Sequence, residues 1–285
     1  MQEAKMSFYE KDIRPSPIAG TWYTDNPKEL QHEIQSYLTQ AQLPPIQAEV
    51  IGLIAPHAGY RYSGPTAGYA YRAVQGKQVD VVAVFSPFHA YIAEQLLTTR
   101  HAAYQTPLGL VPVERDILNE FQRNMIKNGL LAYEIAFDGE HSLEIQLPFL
   151  QTALADKFQL FPLMIRTHEM DEIEIIAQAS AAVLKDKNVL LVASTDLSHF
   201  YNQDTASMLD DEMLRRIAAF SPEQVLEAEQ KSIAFACGAG AVAAVLRTAQ
   251  LLGGKTVQVL HHSTSGDETG DYSSVVGYGA AIIER

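Results

Sequence analysis

The sequence VIGLIAPHAGY at residues 50–60 places a histidine directly after a short apolar run. The run Val50–Ala55 has the character of a strand that is buried on both faces, and Pro56 ends it. Two later stretches repeat this arrangement, VDVVAVFSPFH at 79–89 and VLLVASTDLSH at 189–199. Three predicted buried strands are therefore each followed by a loop that carries a histidine.

Helical patterns separate these strands. Helices are predicted at 26–44, 66–74, 114–127, 141–154, 202–219, from 221 onward, and at 239–252; further strands are predicted at 94–99, 108–113, 158–165, 256–261 and 275–283. Strands that alternate with helices are typical of an α/β fold. Because no internal repeat or linker divides the chain, we expect residues 1–285 to form a single domain with a largely parallel central sheet flanked by helices.

Polar side chains follow the predicted parallel strands at the edge of the sheet where ligands usually bind. His57, His89, Asp196 and His199 would all emerge there. Neutral imidazoles are common protein ligands for zinc, iron and copper, so His57 and His89 are candidates for a metal-binding pair. Either histidine alone could instead be a loop residue bonded to the backbone. The spacing does not select the metal.

Cys237 lies just before the predicted helix at 239–252. The positive end of a helix dipole lowers a thiol pKa, which would favour a thiolate ligand. A cysteine among Phe235, Ala236 and Ala239 also suits a buried core position. Both interpretations remain open on the sequence alone.

The segment DGEHSLEIQLP at 138–148 begins another predicted helix. His141 and Glu144 are three residues apart and would share one face of that helix. Glu140 would lie in the first turn, where an acidic group compensates the helix dipole. The histidine in this pattern makes the segment a candidate part of the site.

Asp196 and His199 are also three residues apart. They could form an ion pair, an acid/base couple, or a pair in which the carboxylate orients the imidazole. Trp22, Tyr60 and Tyr62 are candidates for the wall of a pocket. A serine hydrolase is disfavoured because the chain lacks a G-x-S-x-G motif.

The charge balance excludes several classes of partner. There are 21 Lys and Arg against 34 Asp and Glu, which gives a net charge of −13. A chain this acidic repels nucleic acid and anionic membrane surfaces. Charges near the N-terminus interrupt any signal-peptide core, and a single cysteine cannot form an internal disulfide, so we expect a cytoplasmic protein.

Five motifs in order carry a resemblance to a known family: GTWY at 20–23, APHAGY at 55–60, EHSLE at 140–144, STDLSH at 194–199 and ACG at 236–238. Together they resemble the Memo family over nearly the whole chain. The resemblance implies an α/β fold similar to class III extradiol dioxygenases. It also implies metal ligands at His57, His89 and Cys237, with His141, Asp196 and His199 lining the same pocket. We take these last three as catalytic candidates, and the sequence adds Trp22, Tyr60 and Glu140 as candidate pocket residues.

The function implied by this resemblance is that of a metal-dependent oxidoreductase acting on an unknown small molecule, with iron or copper as cofactor. Extradiol dioxygenases bind iron through two histidines and a carboxylate, and here a thiolate would replace the carboxylate. Two alternatives are a non-catalytic module that binds a peptide or partner in the same pocket, and a zinc-dependent hydrolase. The resemblance also implies association with an AMMECR-type protein and a radical SAM protein.

Overall fold

Twelve strands form two sheets in residues 12–285, the part of the chain that the computed structural model describes. The strands are β1 (Ile13–Arg14), β2 (Val50–Ala55), β3 (Val81–Ser86), β4 (Leu96–Thr99), β5 (Ala103–Thr106), β6 (Gly109–Pro112), β7 (Tyr133–Ile135), β8 (Gln159–Ile165), β9 (Val189–Ser194), β10 (His199–Tyr201), β11 (Thr256–Thr264) and β12 (Val275–Glu284). β1, β5 and β6 form a small sheet, and the other nine strands form the large one.

The same residues contain nine helices. They are α1 (Pro27–Gln40), α2 (Tyr60–Arg72), α3 (Arg115–Lys127), α4 (Gln146–Ala153), α5 (Met170–Leu184), α6 (Gln203–Ala218), α7 (Pro222–Gln230), α8 (Ala239–Leu251) and α9 (Ser265–Thr269). Helix α8 packs on β2, β3, β8 and β9, whereas α2 packs on β2, β11 and β12. Across residues 12–285, none of the helices has the length and apolar character needed to cross a membrane.

The large sheet is mixed. Its four central strands, β2, β9, β3 and β8, are parallel neighbours. On one side β12 runs antiparallel to β2, β10 and β11, and on the other side β4 runs antiparallel to β8. The expectation of a largely parallel sheet therefore describes only the centre. This centre matters for the site, because the predicted histidine loops follow three of its strands.

The strands at the centre are buried almost along their whole length, with only the first residues of β8 and β9 reaching the surface, which explains their largely apolar sequences. Every residue of β2 and of β3 is buried. A strand covered on both faces has no solvent side, so its sequence does not alternate between apolar and polar residues. The same strands were predicted from that pattern.

Three local differences separate the predicted elements from the observed ones. The helix predicted from residue 141 begins at Gln146, because the preceding residues form turns. The helix predicted from residue 66 already begins at Tyr60 and continues through Pro65. Helices α5 and α9 and the short strands β1, β5, β7 and β10 were not predicted.

Candidate metal centre

The carboxyl ends of β2, β3 and β9 meet at one pocket. Since β9 pairs in parallel with both β2 and β3, the loops that follow the three strands lie side by side. His57, His89 and Asp196 come from these three loops. The pocket has a volume of about 450 Å³ and is lined by Thr21, Trp22, His57, Ala58, Gly59, Tyr62, His89, His141, Asp196, His199, Val276 and Tyr278.

Three imidazoles converge in this pocket. His57, His89 and His141 each offer one ring nitrogen, and the three nitrogens lie within 4.8 Å of one another. Zn–N bonds of about 2.0–2.1 Å at tetrahedral angles would put two such atoms about 3.3 Å apart, so small side-chain movements suffice to bring the three onto one ion. The ring centroids of His89 and His141 are 4.7 Å apart, and each lies about equally far from His57, at 5.3 and 5.4 Å.

The carboxylate of Glu140 forms hydrogen bonds with two of these histidines. Its Oε1 lies 2.9 Å from Nδ1 of His89, and its Oε2 accepts the backbone N–H of His89 at 2.6 Å. Oε1 also accepts the backbone N–H groups of His141 and Ser142. These bonds hold residues 140–142 in a turn, which is why the helix starts later than predicted. A carboxylate bonded to Nδ1 leaves Nε2 of His89 available to an ion.

The charge of Glu140 makes the pKa of His89 shift in the opposite direction from the pKa values of the other two histidines. Burial lowers the pKa of His89, but the hydrogen bond and negative charge of Glu140 outweigh burial and raise it overall. Burial lowers the pKa of His141 to about 4. Burial and then the neighbouring imidazoles hold the pKa of His57 well below its usual value. His57 and His141 are therefore neutral near pH 7, as metal ligands must be.

Asp196 contacts His57 and not His199. Its Oδ1 accepts the backbone N–H of His57 at 2.7 Å, and its Oδ2 lies 4.0 Å from Nε2 of His57. Nδ1 of His199 is instead bonded to the carbonyl of Leu197 at 2.8 Å. The predicted contact between Asp196 and His199 is wrong, because the carboxylate turns toward the loop after β2. Burial raises the pKa of Asp196 to about 7.

Cys237 lies beside His57, immediately before the N-terminal end of α8. Its Sγ is 3.1 Å from Nε2 of His57 and accepts the backbone N–H of Asp196 at 3.2 Å. Burial, and next the charge of Asp196, raise the pKa of the Cys237 thiol. The expected lowering of this pKa by the helix N-terminus is wrong, because burial disfavours the charged thiolate. The thiol touches one of the three imidazoles but does not belong to the close group of three.

Comparison with known proteins identifies the family. A model of Memo-like proteins matches residues 14–282. The chain belongs to the Memo family. A MEMO1 family protein of Nitrosopumilus maritimus is 34% identical over 272 residues, which cover 94% of this chain and 98% of the relative. One from Methanopyrus kandleri is 31% identical over 283 residues, with coverage of 95% and 99%. The matched range includes every residue of the pocket described above.

The other predicted residues of this Memo family member take different places. Trp22 lines the pocket, with its ring centroid 4.1 Å from that of His141. Tyr60 does not line it, since its side chain is buried and its hydroxyl donates to the carbonyl of Ile145. Glu140 lies beneath the pocket, as described above. Glu144 binds Arg14 and does not approach the imidazoles through the shared helix face that was predicted.

The sequence did not lead us to select Tyr278, Ser194 or Gln146 as members of this site, whereas Tyr62 was a candidate for the pocket wall. Tyr62 and Tyr278 line the pocket wall. The hydroxyl of Ser194 contacts the ring of His57, and Gln146 contacts that hydroxyl. The available signal was the position of Ser194 at the end of a buried strand, two residues before Asp196. Nothing comparable marks Gln146, which lies 48 residues away from Ser194 in the chain.

Replacing Asp196 by asparagine is expected to change how the stability of the metal-free protein depends on pH. The folded protein holds this proton up to about pH 7, whereas an ordinary aspartate releases it near 3.8. The natural protein therefore loses stability as the pH rises through this window, and Asp196→Asn removes the loss. Between about pH 4 and pH 8 the variant should gain roughly 2–4 kcal/mol relative to the natural protein, since one pKa unit corresponds to about 1.4 kcal/mol. Urea unfolding at several pH values measures this, and parallel pH profiles would contradict it.

Proposed function

We propose that this Memo family protein is a metal-dependent oxidoreductase that binds iron or copper through His57, His89 and His141 and acts on a small molecule in the adjoining pocket. The observation that carries the proposal is the convergence of three imidazole nitrogens within 4.8 Å. Imidazole is a good ligand for iron, copper and zinc, so the donor set suits a transition metal and not calcium or magnesium.

The surroundings of the imidazoles fit a bound cation. Glu140 is buried, and its negative charge lies against His89 and within 3.4 Å of Nδ1 of His141. A carboxylate that bonds the far side of a ligating imidazole fixes the ring and increases its basicity. Asp196 adds a second buried carboxyl group beside His57. The pocket therefore supplies both donor atoms and compensating charge.

We include Cys237 as a further ligand. The distance of 3.1 Å between its Sγ and Nε2 of His57 is close to the separation expected for two atoms that bind one ion. This retains the ligand set His57, His89 and Cys237 that the family resemblance implies. It adds His141, which was predicted as a catalytic residue of the same pocket. A thiol with a raised pKa would lose its proton when the ion binds.

A bound iron or copper ion would supply one-electron chemistry and an electrophilic site for substrate or oxygen. The chain's own part is to bind and orient the substrate and to handle protons. Asp196 lines the pocket and has a pKa of about 7, so its carboxylate can take a proton from a substrate hydroxyl near neutral pH. His199 lies on the same wall and is a second group able to exchange a proton there.

The walls of the pocket favour an organic substrate of moderate size. Trp22, Tyr62, Tyr278 and Val276 provide apolar surface around the imidazoles. Pockets that combine apolar walls with a few convergent polar groups are typical of small-molecule sites.

We also infer a relationship in fold to class III extradiol dioxygenases. The parallel centre of the sheet and the candidate ligands that follow its strands support this inference.

A zinc-dependent hydrolase is the second candidate, because three histidine ligands with an adjacent general base also suit activation of water. Elemental analysis separates the two after purification without chelators or a metal-binding tag. Iron or copper at about one equivalent, with turnover that consumes oxygen, would support the oxidoreductase. Zinc with oxygen-independent turnover would support the hydrolase, and a protein that binds no metal would favour a binding module.

Zinc binding is expected to release about one proton more from the natural protein than from Cys237→Ser. The thiol is protonated at pH 7 and must ionise to become a ligand, whereas serine keeps its proton. Both proteins also release any proton that zinc displaces from His89, so this contribution cancels when their proton release is compared. Calorimetric titration in buffers of different ionisation enthalpy measures the difference. Equal proton release at equal affinity would remove Cys237 from the ligand set.

A further inference from the structure

We infer that Ser194 is a positioning residue that fixes the proton of His57 on Nδ1, so that Nε2 presents its lone pair to the ion. The inference rests on the proposed metal centre and adds a residue that the family motifs did not assign a role. Ser194 is the last residue of β9, and its side chain is completely buried. A neutral imidazole carries its proton on only one nitrogen, and the partner of that nitrogen decides which.

The hydroxyl of Ser194 has three partners. Oγ lies 2.6 Å from the carbonyl oxygen of Ser142, 2.7 Å from Nε2 of Gln146 and 3.0 Å from Nδ1 of His57. A hydroxyl has one proton to donate and two lone pairs that accept. The carbonyl of Ser142 can only accept, so the single proton of Ser194 is used there. Both remaining contacts must therefore be donated to Oγ.

The orientation of Gln146 is fixed independently. Its Nε2 lies 3.0 Å from the carbonyl oxygen of Pro56, which can only accept, so the amide nitrogen faces Pro56 and Ser194. At the other end of the amide, Oε1 accepts the hydroxyl proton of Tyr71 at 2.6 Å. Gln146 therefore donates to Ser194 and takes no proton from it. His57 Nδ1 is left as the second donor.

Within residues 12–285 the network has no further proton donor at Oγ of Ser194, and its members are buried away from solvent. Ser142 and Ser194 have no exposed surface, Gln146 is 1% exposed and His57 2%. If Nδ1 of His57 carried no proton, two acceptor atoms would face each other at 3.0 Å without solvent. Burying such an unsatisfied pair costs each group its lost hydration without a hydrogen bond in return, which favours the tautomer with the proton on Nδ1.

A side-chain oxygen contacts Nδ1 in two of the histidines, although the two oxygens differ in charge. Glu140 occupies Nδ1 of His89 with a charged oxygen, and Ser194 occupies Nδ1 of His57 with a neutral one. In both cases Nε2 is the nitrogen left for the pocket. For His57 that nitrogen faces Sγ of Cys237 at 3.1 Å. The two support groups thus present both imidazoles to the same ion in the form that binds it.

The first test is the tautomer of His57 in the natural protein without metal. NMR of ¹⁵N-histidine-labelled protein distinguishes a protonated ring nitrogen from an unprotonated one, and the His57 signals are assigned by their loss in His57→Ala. We expect Nδ1 protonated and Nε2 unprotonated. The opposite tautomer, or an even mixture, would overturn the inference. This measurement needs no variant of Ser194 to fold.

The second test is zinc affinity in Ser194→Ala, with Ser180→Ala as the matched control. Ser180 is also a buried serine, but its hydroxyl has no hydrogen-bond partner among residues 12–285. Loss of a group that orients a ligand usually costs about 10–100-fold in metal affinity, so Ser194→Ala should bind zinc that much more weakly and show a mixture of His57 tautomers. Ser180→Ala should match the natural protein in both measurements.

Affinity in Ser194→Ala equal to that of the natural protein would overturn the inference while leaving the proposed metal centre intact. Failure of the natural protein to bind zinc, iron or copper would instead overturn the proposed function. The tautomer measurement would still decide the role of Ser194 in that case, so the two failures are distinguishable.

Discussion

Replacement of His89 by alanine is expected to lower the affinity of the metal-free protein for zinc by more than about 100-fold. Removing a group that only supports a ligand usually costs about 10–100-fold, and here the ligand itself is removed. The change deletes one of three imidazoles and leaves the buried carboxylate of Glu140 without its ring partner. The His89 side chain is 39% exposed, so its removal opens no cavity in the core. The fold should therefore survive, and competition with a chromophoric chelator would measure the affinity.

His199→Ala is the matched control for this experiment. His199 lines the same pocket and is also partly buried, but its Nδ1 is bonded to the backbone and it lies outside the group of three. Its removal should leave zinc affinity within about threefold of the natural protein, a difference of less than 1 kcal/mol. Similar losses in both variants would point to a diffuse electrostatic attraction instead of a defined ligand set.

The placement of the site could be predicted from the sequence because it depends on local pattern. Three apolar runs without polar alternation indicated strands buried on both faces, and the residues that follow such strands share one edge of the sheet. His57, His89 and Asp196 meet there as this rule predicts. The flanking strands were harder to predict, since their direction depends on pairing between distant segments and has no local signal.

The position of His141 depended on contacts that the sequence does not reveal. Its spacing to Glu144 suggested a shared helix face, but the carboxylate of Glu140 binds three backbone N–H groups and delays the helix until Gln146. That turn brings His141 to the other two imidazoles. The competition between a side-chain acceptor and a helical hydrogen bond is decided by packing, in this case against the loop after β3.

Helix α5 was missed because its composition is ambiguous. Ile173, Ile175 and Ile176 are β-branched and favour strands, and the following small residues give little contrast between two helix faces. The helix packs on α8, which is itself rich in alanine. Tertiary packing outweighs the weak local preference in such a segment.

Arg14→Met is expected to lower the free energy of unfolding by about 3–5 kcal/mol, the loss typical when one partner of a buried ion pair is removed. The Arg14 side chain is 1% exposed and pairs with Asp138 at 2.8 Å and with Glu144 at 2.5 Å. It also donates to the backbone carbonyl of Glu140 at 2.6 Å. Methionine fills similar volume but leaves two carboxylates buried without a cation. Urea unfolding near pH 7 would measure the change.

Two further variants separate this explanation from a general effect of losing arginine. Arg247→Met breaks the ion pair between Arg247 and Glu174, whose side chains are 32% and 30% exposed. This variant should lower the free energy of unfolding by less than about 1 kcal/mol. Adding Glu144→Gln to Arg14→Met removes one of the unpaired charges and should recover part of the lost stability. If the double variant were no more stable than Arg14→Met, the cost would come from packing, not from the buried charge.

Because Arg14 also donates to the carbonyl of Glu140, the double variant tests a second role of the arginine. Recovery of stability without recovery of zinc affinity would show that Arg14 positions the turn that carries His141.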